Sequence, residues 1–313
     1  MSLAVTALSH SPLLGFADPS PELAADLEKE FDVARAFIRD YDPEVVVIFG
    51  PDHYNGFFYD LMPAYAIGTG TVRGVGDYNT STKPFTVPTD IAEGCAKAVL
   101  AAGVDIAVSK RMSVDHGIVQ PLQVLFGDVD ALPVVPVFVN SVAQPLAPLS
   151  RVRALGAAAG KYLASLDRRV LLVGSGGLSH DPPVPSWDTA APGAREPLIN
   201  GRNPTPEYRA ARQQRVIDGA KAFAAGTATI RDLNPEWDTA FLDILESGDL
   251  SPVDSWSTED VIADGGGSAH EVRTWIAAYS ALAAAGPYEI RSRFYRPIRD
   301  LIAGFAVTTA VTA

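Results

Sequence analysis

The sequence has little of what secreted, membrane-spanning or nucleic-acid-binding proteins need. Cys95 is the single cysteine among 313 residues, which excludes an internal disulfide framework and favours a reducing compartment. No apolar run approaches the roughly 18 residues of a membrane span, and no signal peptide is evident. Acidic residues outnumber basic ones, 37 to 25, and a net charge of -12 argues against binding to nucleic acid or an anionic membrane. These absences predict a cytoplasmic protein.

The order of apolar patterns predicts an α/β fold. Largely apolar runs at 4–8, 45–49 and 170–174 indicate strands, and the run at 45–49, which is mostly β-branched, is typical of a strand buried on both faces of a sheet. A helical pattern separates the first two runs, which gives a strand–helix–strand unit with parallel strands. We therefore predict a mixed, mostly parallel central sheet flanked by helices, with a more helical C-terminal third. We expect one domain over residues 1–313.

Weaker patterns predict the remaining segments. Residues 54–87 are expected to form loops and short edge strands, and the prolines of 133–139 favour a strand at an edge or a bulge. A short helix over 120–126 should follow a loop that holds His116. Residues 181–206 are expected to form a long loop, a length common in lids and binding loops. Further helices are predicted at 88–102, 151–166, 207–225, 236–246 and 268–285.

The five histidines carry the main functional signal, because none lies inside an apolar run. They are His10, His53, His116, His180 and His270. His10 and His53 follow the first two strands, at the carboxyl edge where open α/β sheets hold ligands. Strands joined by one helix are neighbours or one strand apart, so the two imidazoles can converge on a metal ion. The alternative is that each only caps its loop by hydrogen bonding.

Glu271 is the candidate third ligand, but its surroundings have a second interpretation. Ser268 and Glu271 have the spacing of a capping box, in which the carboxylate serves the helix start. Two histidines and one carboxylate form the facial triad of non-haem Fe(II) sites, which leaves positions open for a chelating substrate and O₂. A zinc hydrolase uses the same ligand types with fewer open positions. Neighbouring His270 is expected on the helix surface or behind the ligands.

His116 and His180 suit proton transfer rather than metal binding. An imidazole changes charge near neutral pH and can take a proton from, or return one to, a substrate hydroxyl. His116 lies beside Asp115, but adjacent side chains need not touch, so no Asp–His dyad is predicted. His180 ends the glycine-rich segment 174–180, which permits close backbone approach to a ligand. That segment lacks the spacing of a phosphate loop and of a serine-hydrolase elbow.

Four segments together resemble the class III extradiol catechol dioxygenases, the protocatechuate 4,5-dioxygenase β-subunit superfamily. They are Leu8-Ser-His-Ser-Pro12, Gly50-Pro-Asp-His-Tyr-Asn-Gly-Phe-Phe-Tyr59, Val114-Asp-His-Gly117 and Gly174-Ser-Gly-Gly-Leu-Ser-His180. The likeness extends to 268–275 and 295–297, so it covers nearly the whole chain. Within the superfamily it is closest to the dioxygenases of 2,3-dihydroxyphenylpropionate.

The resemblance implies a reaction and a role for each site residue. It implies Fe(II) bound by His10, His53 and Glu271, with His116 as proton donor and His180 as proton acceptor. The implied reaction is extradiol cleavage, with O₂, of a 3-substituted catechol such as 2,3-dihydroxyphenylpropionate or 2,3-dihydroxycinnamate, in aromatic-compound catabolism. A homo-oligomer is also implied. A zinc-dependent hydrolase and a non-enzymatic Memo-like binding protein remain as alternatives.

A substrate with a carboxylate would need a basic partner, preferably an arginine that can bind both oxygens. The candidates are Arg273, Arg296 and the arginines between residues 195 and 215. The sequence does not rank them.

Overall fold

Strands and helices alternate through the first part of the chain, and two further strands end it. The computed structural model describes residues 3–17 and 19–313. Within them the strands are β1 (Leu3–Leu8), β2 (Val45–Gly50), β3 (Tyr65–Gly74), β4 (Ala107–Val114), β5 (Val134–Val139), β6 (Val170–Ser175), β7 (Tyr288–Ile298) and β8 (Ala303–Thr312). The α-helices are α1 (Pro21–Tyr41), α2 (Thr89–Ala101), α3 (His116–Phe126), α4 (Leu149–Ala164), α5 (Pro192–Asn200), α6 (Pro206–Ala224), α7 (Pro235–Ser247), α8 (Thr258–Gly265) and α9 (Val272–Ala285).

The strands of the described residues join one sheet in the order β4-β3-β5-β2-β6-β1-β8-β7. The four central strands, β5, β2, β6 and β1, run parallel, and antiparallel pairs join them to β3 on one side and β8 on the other. The predicted mixed, mostly parallel sheet is confirmed. Because β6 lies between β1 and β2, the carboxyl ends of all three open on the same edge, where such sheets bind ligands.

Alternate residues of the central strands supply two separate hydrophobic cores. Val45, Val47 and Phe49 pack into one core together with residues of α2, α4 and α9. Val46 and Ile48 pack into the other, which includes residues of α1 and α3. Continuous apolar runs fit this position, since both faces of each strand are covered. Every helix in the described part of the chain is too short or too polar to traverse a lipid bilayer.

Two strand predictions are wrong. Residues 54–87, expected to hold only loops and short edge strands, contain the ten-residue β3, which lies between β4 and β5. The run at 133–139, expected at an edge or a bulge, is the interior strand β5. The pairing of β5 with β3 ends at Val137. Pro136 therefore has no partner residue on β3, and the N–H that proline lacks is not needed there.

Helices also occur where loops were predicted. α3 begins at His116 rather than at residue 120, because Asp115 caps it by accepting the N–H of Gly117 at 2.9 Å. The predicted loop over 181–206 contains α5, and α8 has no counterpart among the predicted helices. The C-terminal third holds α6, α7, α8 and α9, as its helical pattern indicates. It also holds the β7–β8 hairpin, which pairs with β1 through β8.

α9 lies against the central strands and is held there by α4. Its residues from Val272 to Leu282 are all buried. Gly156 and Gly160 of α4 allow the two helices to touch through their backbones, since a Cβ at Gly160 would lie 2.1 Å from the carbonyl oxygen of Ala281. This packing matters for the site because the residue that immediately precedes α9 is Glu271.

Gly160→Ala should destabilise the fold. The added methyl group would meet backbone atoms of α9, which cannot move aside independently, and overpacking of this kind typically costs about 1–3 kcal/mol. Urea denaturation measures the free energy of unfolding. Gly193→Ala on α5 is the control, because a Cβ there meets nothing within 4 Å and should cause no loss. Equal stability of the two variants would show that α4 and α9 are not in backbone contact.

Candidate active site

Four histidines from separate parts of the chain meet at the carboxyl edge of the central strands. His10 follows β1, His53 follows β2, His116 begins α3 and His180 follows β6. The ring centroids lie 5.5 Å apart for His10 and His53, 5.4 Å for His10 and His116, and 4.5 Å for His53 and His116. The structure thus brings together the histidines that the sequence singles out, with the exception of His270.

Glu271 joins this cluster from the start of α9. Its Oε1 lies 2.9 Å from Nε2 of His53, and its Oε2 lies 3.6 Å from Nε2 of His10. Oε2 is also 3.5 Å from Nε2 of His180 and accepts the N–H of Gly177 at 2.8 Å. The carboxylate therefore faces three imidazoles at once.

Ser268 and His270, close to Glu271 in sequence, take no part in the cluster. Ser268 makes no capping hydrogen bond through its side chain, so the capping-box interpretation of Glu271 is wrong. His270 is 2% exposed, which contradicts the expected surface position, and its ring nitrogens have no hydrogen-bond partner among the described residues. Burial, together with the charge of Arg273, lowers the pKa of His270 to about 3, so it is a neutral core side chain.

Three histidines of the cluster are anchored through Nδ1 to an atom that can only accept a hydrogen bond. The acceptors are Asp115 for His53 at 3.0 Å, Asp77 for His116 at 2.5 Å, and the carbonyl oxygen of Leu178 for His180 at 2.8 Å. Because carboxylate and carbonyl oxygens donate nothing, Nδ1 carries the proton in each ring. In the neutral imidazole this leaves a lone pair on Nε2.

His10 also carries its proton on Nδ1, because of its hydrogen bond with Ser175. Its Nδ1 lies 3.0 Å from the hydroxyl oxygen of Ser175, and that hydroxyl donates its one hydrogen to the carbonyl oxygen of Gly117 at 2.5 Å. The hydroxyl oxygen must therefore accept from Nδ1 of His10. All four anchored imidazoles share one tautomer, which suits both metal binding and proton exchange through Nε2.

The carboxylates of the cluster are buried without lysine or arginine partners. Glu271 is 1% exposed and Asp115 is fully buried, and Asp77 is 3% exposed. Among the described residues their only ion-pair partners within 4 Å are histidines. Buried anions are costly unless they are paired or bind a metal. A divalent cation between the imidazoles and Glu271 fits this donor set and would supply the missing positive charge.

The protonation states also fit a cation site. Burial alone would raise the pKa of Glu271, but His180, through its charge and hydrogen bond, and the hydrogen bond from His53 outweigh it and hold that pKa well below its usual range. Burial lowers the pKa of His10 to about 3 despite the attraction of Glu271, so His10 is neutral. Burial would also lower the pKa of His53, but Asp115 and Glu271 raise it well above its ordinary value. A metal at Nε2 of His53 would replace the proton that these carboxylates otherwise attract.

The described residues offer more than one group of donors close enough to share a metal. Atoms within 4.8 Å of one another are provided by His10, His53 and His116, and by Asp77, Asp115 and His116. The set predicted from the sequence shares His10 and His53 with the first group and has Glu271 in place of His116. Asp77 and Asp115 accept hydrogen bonds from imidazole Nδ1 atoms, an arrangement typical of outer partners that orient metal ligands.

Asp77 is the residue that the sequence reasoning missed. It lies in the turn after β3, 39 positions from His116, and accepts hydrogen bonds from the backbone N–H of His116 at 3.0 Å and from its Nδ1 at 2.5 Å. Asp115, the sequence neighbour of His116, instead bonds Nδ1 and the backbone N–H of His53. No local pattern marks a pairing between such distant positions.

Gly176 and Gly177 are needed because other protein groups, rather than a ligand, approach their backbone closely. A Cβ at Gly176 would lie 2.6 Å from Cβ of Glu271. A Cβ at Gly177 would lie 2.9 Å from Cε1 of the His180 ring. The glycine-rich segment thus lets Glu271 and His180 approach the end of β6, which corrects the expected role.

The cluster lines a cavity of about 550 Å³. The other walls come from residues 182–185, from α5 and α6, and from apolar side chains that include Leu13 and Ile302. This volume falls in the range of small-molecule sites, roughly 300–1,000 Å³, and the apolar walls suit an aromatic ring. The segment 181–206 does contribute to a binding cavity, although part of it is helical.

Three residues of the cavity wall have positive φ without being glycine. They are Tyr54 at 56°, Tyr78 at 46° and Ile302 at 48°. The left-handed backbone is least favourable for a β-branched residue such as Ile302. Such strain persists where the surrounding packing determines the conformation, and it is common at ligand sites. Tyr78 is held edge-on against His116, with ring centroids 5.1 Å apart.

Comparisons with known proteins match the chain over nearly its full length. Residues 4–306 match a family model described as the catalytic LigB subunit of aromatic ring-opening dioxygenase. A 2,3-dihydroxyphenylpropionate/2,3-dihydroxicinnamic acid 1,2-dioxygenase from Rhodococcus jostii (strain RHA1) is 55% identical over 311 residues, with 99% of each chain covered. The protein of the same name from Mycobacterium sp. (strain MCS) is 56% identical over 311 residues, again with 99% of each chain covered. These matches confirm the resemblance drawn from the four segments.

Proposed function

Because the chain belongs to the family of catalytic LigB subunits of aromatic ring-opening dioxygenases, we propose that it cleaves the ring of a 3-substituted catechol beside the diol, with both atoms of O₂ entering the product. The proposed substrates are 2,3-dihydroxyphenylpropionate and 2,3-dihydroxycinnamate, the acids named in its relatives. The observation that carries this proposal is the convergence of three Nε2 atoms, the His116 ring and one buried carboxylate on a cavity of suitable size. We propose a single catalytic domain over residues 1–313, acting in the cytoplasm as a homo-oligomer in aromatic-compound catabolism.

The proposed cofactor is Fe(II), held by His10, His53 and Glu271. The two imidazoles present Nε2 to Glu271, a buried carboxylate without a lysine or arginine partner among the described residues. Fe(II), when bound there, supplies the electronic contact between a chelated catechol and O₂ that the organic substrate alone does not have. Asp115 and Ser175 fix the orientations of the two imidazoles, which is the usual task of outer partners.

We propose that His180 accepts a proton from the substrate hydroxyl and that His116 donates one to the leaving oxygen. The partners of the two rings support this division. His180 donates its Nδ1–H to the carbonyl oxygen of Leu178, so Nε2 is the atom that accepts a proton. Burial would lower the pKa of His180, but Glu271 outweighs it and raises that pKa, which strengthens the ring as a base. His116 donates its Nδ1–H to the carboxylate of Asp77, which fixes the orientation of the ring and makes Nε2 the atom that exchanges a proton with the substrate.

The test is anaerobic loading with Fe(II), followed by 2,3-dihydroxyphenylpropionate and O₂. We expect one O₂ consumed for each catechol and the visible absorbance of a yellow ring-opened product. Ester or amide hydrolysis by the zinc-loaded protein, without O₂ uptake, would support a zinc hydrolase instead. Failure to bind Fe(II) would support a non-enzymatic binding protein.

Asp77→Asn should lower kcat by about 100-fold, because the amide weakens the hydrogen bond that orients the ring of His116, the proposed proton donor. Iron content should not change, since Asp77 contacts none of the proposed ligands through a hydrogen bond. Steady-state kinetics and iron analysis on the same sample check both points. Asp60→Asn is the control, because Asp60 is exposed and pairs with Arg202 outside the cavity. A normal kcat for Asp77→Asn would remove Asp77 from the mechanism.

A further inference from the structure

The wall of the cavity contributed by α6 carries three arginines. Arg209, Arg212 and Arg215 recur every third residue of the helix and all line the cavity. None forms an ion pair within 4 Å with a carboxylate of the described residues. In a chain of net charge -12, three cations on one wall without an acidic partner form a positively charged surface within the cavity. Its chemistry favours an anionic group on the ligand.

The other candidate arginines are engaged elsewhere and do not line this cavity. Arg296 pairs with Asp26 at 2.6 Å, and Arg273 donates to the carbonyl oxygen of Ala147. Arg195 stacks over Trp187, with its guanidinium carbon 4.9 Å from the ring centroid. Arg202 pairs with Asp60 and stacks over Phe58 at 4.9 Å. The structure thus reduces the candidates to the three arginines of α6.

Two of these three arginines already donate hydrogen bonds within the protein. Arg212 donates hydrogen bonds to the carbonyl oxygens of His53 and Tyr54 and to Oδ1 of Asn55, so it holds the loop that carries a proposed ligand. Arg209 donates to the carbonyl oxygen of Val75 at 2.5 Å. Arg215 makes no hydrogen bond or ion pair with any described residue. It is the arginine with its full set of donors available to a ligand.

Arg215 lines the same cavity as the histidine cluster, and so does Tyr78. The Tyr78 ring contacts His116, with centroids 5.1 Å apart. Because α6 forms one wall of this cavity, a catechol with its diol at the histidines can direct a short side chain toward Arg215.

We propose that Arg215 binds the side-chain carboxylate of the substrate and makes the enzyme selective for 3-substituted catechols that end in an acid. This inference rests on the proposed function. A carboxylate can accept two parallel hydrogen bonds from the guanidinium, which fixes the direction of the side chain as well as its charge. The contact is made equally in the ground state and the transition state, so its loss should raise KM and leave kcat nearly constant.

The experiment compares 2,3-dihydroxyphenylpropionate with 3-propylcatechol, its uncharged analogue. In Arg215→Gln we expect KM for the acid to rise about tenfold, the lower end for a charged hydrogen bond because the Arg215 side chain is exposed. The ratio of kcat/KM for acid over neutral catechol should fall by the same factor. Arg202→Gln, which alters an arginine outside the cavity, should keep the wild-type ratio. In Arg215→Glu the ratio of kcat/KM for acid over neutral catechol should fall further, because the introduced carboxylate repels the carboxylate of the substrate.

A binding measurement separates this inference from the proposed reaction. 3-Phenylpropionate has the carboxylate but no diol, so its Kd tests Arg215 without turnover, and it should rise about tenfold in Arg215→Gln. If Arg215→Gln changed neither the Kd for 3-phenylpropionate nor the ratio of kcat/KM for acid over neutral catechol, the assignment would be overturned. It would also be overturned if Arg209→Gln alone weakened binding of 3-phenylpropionate. Absence of turnover with both catechols in the wild type would instead count against the proposed reaction.

Discussion

His53→Ala should bind no stoichiometric iron and therefore show no measurable ring cleavage. His53 presents Nε2 to Glu271 at 2.9 Å while Asp115 fixes its Nδ1, so the ring is held in place as a ligand. Removal of an outer partner of a metal ligand typically costs about 10–100-fold in affinity, and removal of the ligand itself should cost more. Iron per chain, measured after anaerobic loading and dialysis, tests this directly.

His270→Ala is the matched control for that experiment. His270 is buried and adjacent to Glu271 in sequence, but it lies outside the cluster. It should keep its iron, even if it loses some stability. Full iron content in His53→Ala would exclude His53 as a ligand and favour the alternative donors Asp77, Asp115 and His116.

His180→Ala and His116→Ala should show the opposite behaviour, with iron retained and turnover lost. Removal of a positioned acid or base typically costs about 10²–10⁴-fold in rate, and we expect kcat to fall by that factor in each variant. Single-turnover measurements with iron-loaded protein separate this loss from substrate binding. Normal turnover in His180→Ala would show that another group accepts the substrate proton.

The Asp77 prediction gives these variants an internal check. If Asp77 acts only through His116, Asp77→Asn should have no further effect on kcat in the His116→Ala background. A multiplicative loss in the double variant would show that Asp77 has a separate role. The comparison distinguishes a positioning residue from a general structural one, because a general loss of stability would affect both backgrounds.

The parts of the site that depend on the central strands could be predicted from the sequence. Strands β1 and β2 are buried on both faces, so their apolar runs are continuous and their ends are sharp. Once β1, α1 and β2 form a parallel unit, His10 and His53 must lie at the same edge. The structure adds that β6 separates the two strands, which brings His180 to that edge as well.

The parts that depend on long-range contacts could not be predicted. The bond from His116 to Asp77 joins the start of α3 to a turn 39 positions earlier. Glu271 and Ser268 have the spacing of a capping box, and only the turn at Ala269–Glu271 directs the carboxylate to the histidines instead. α5 has one buried residue, Leu198, and an internal proline, so its segment shows no helical periodicity. Arg215 differs from neighbouring arginines only in having no partner among the described residues, which is a property of the folded chain.

The central claim is that one ferrous ion is shared by His10, His53 and Glu271. A crystal structure of the iron-loaded protein, with anomalous differences recorded at the iron absorption edge, tests it most directly. The account predicts a single peak bonded to Nε2 of both histidines and to the carboxylate, with His116 and His180 beside it and not bonded to it. A peak between His116, Asp77 and Asp115, with Glu271 unbound, would contradict it.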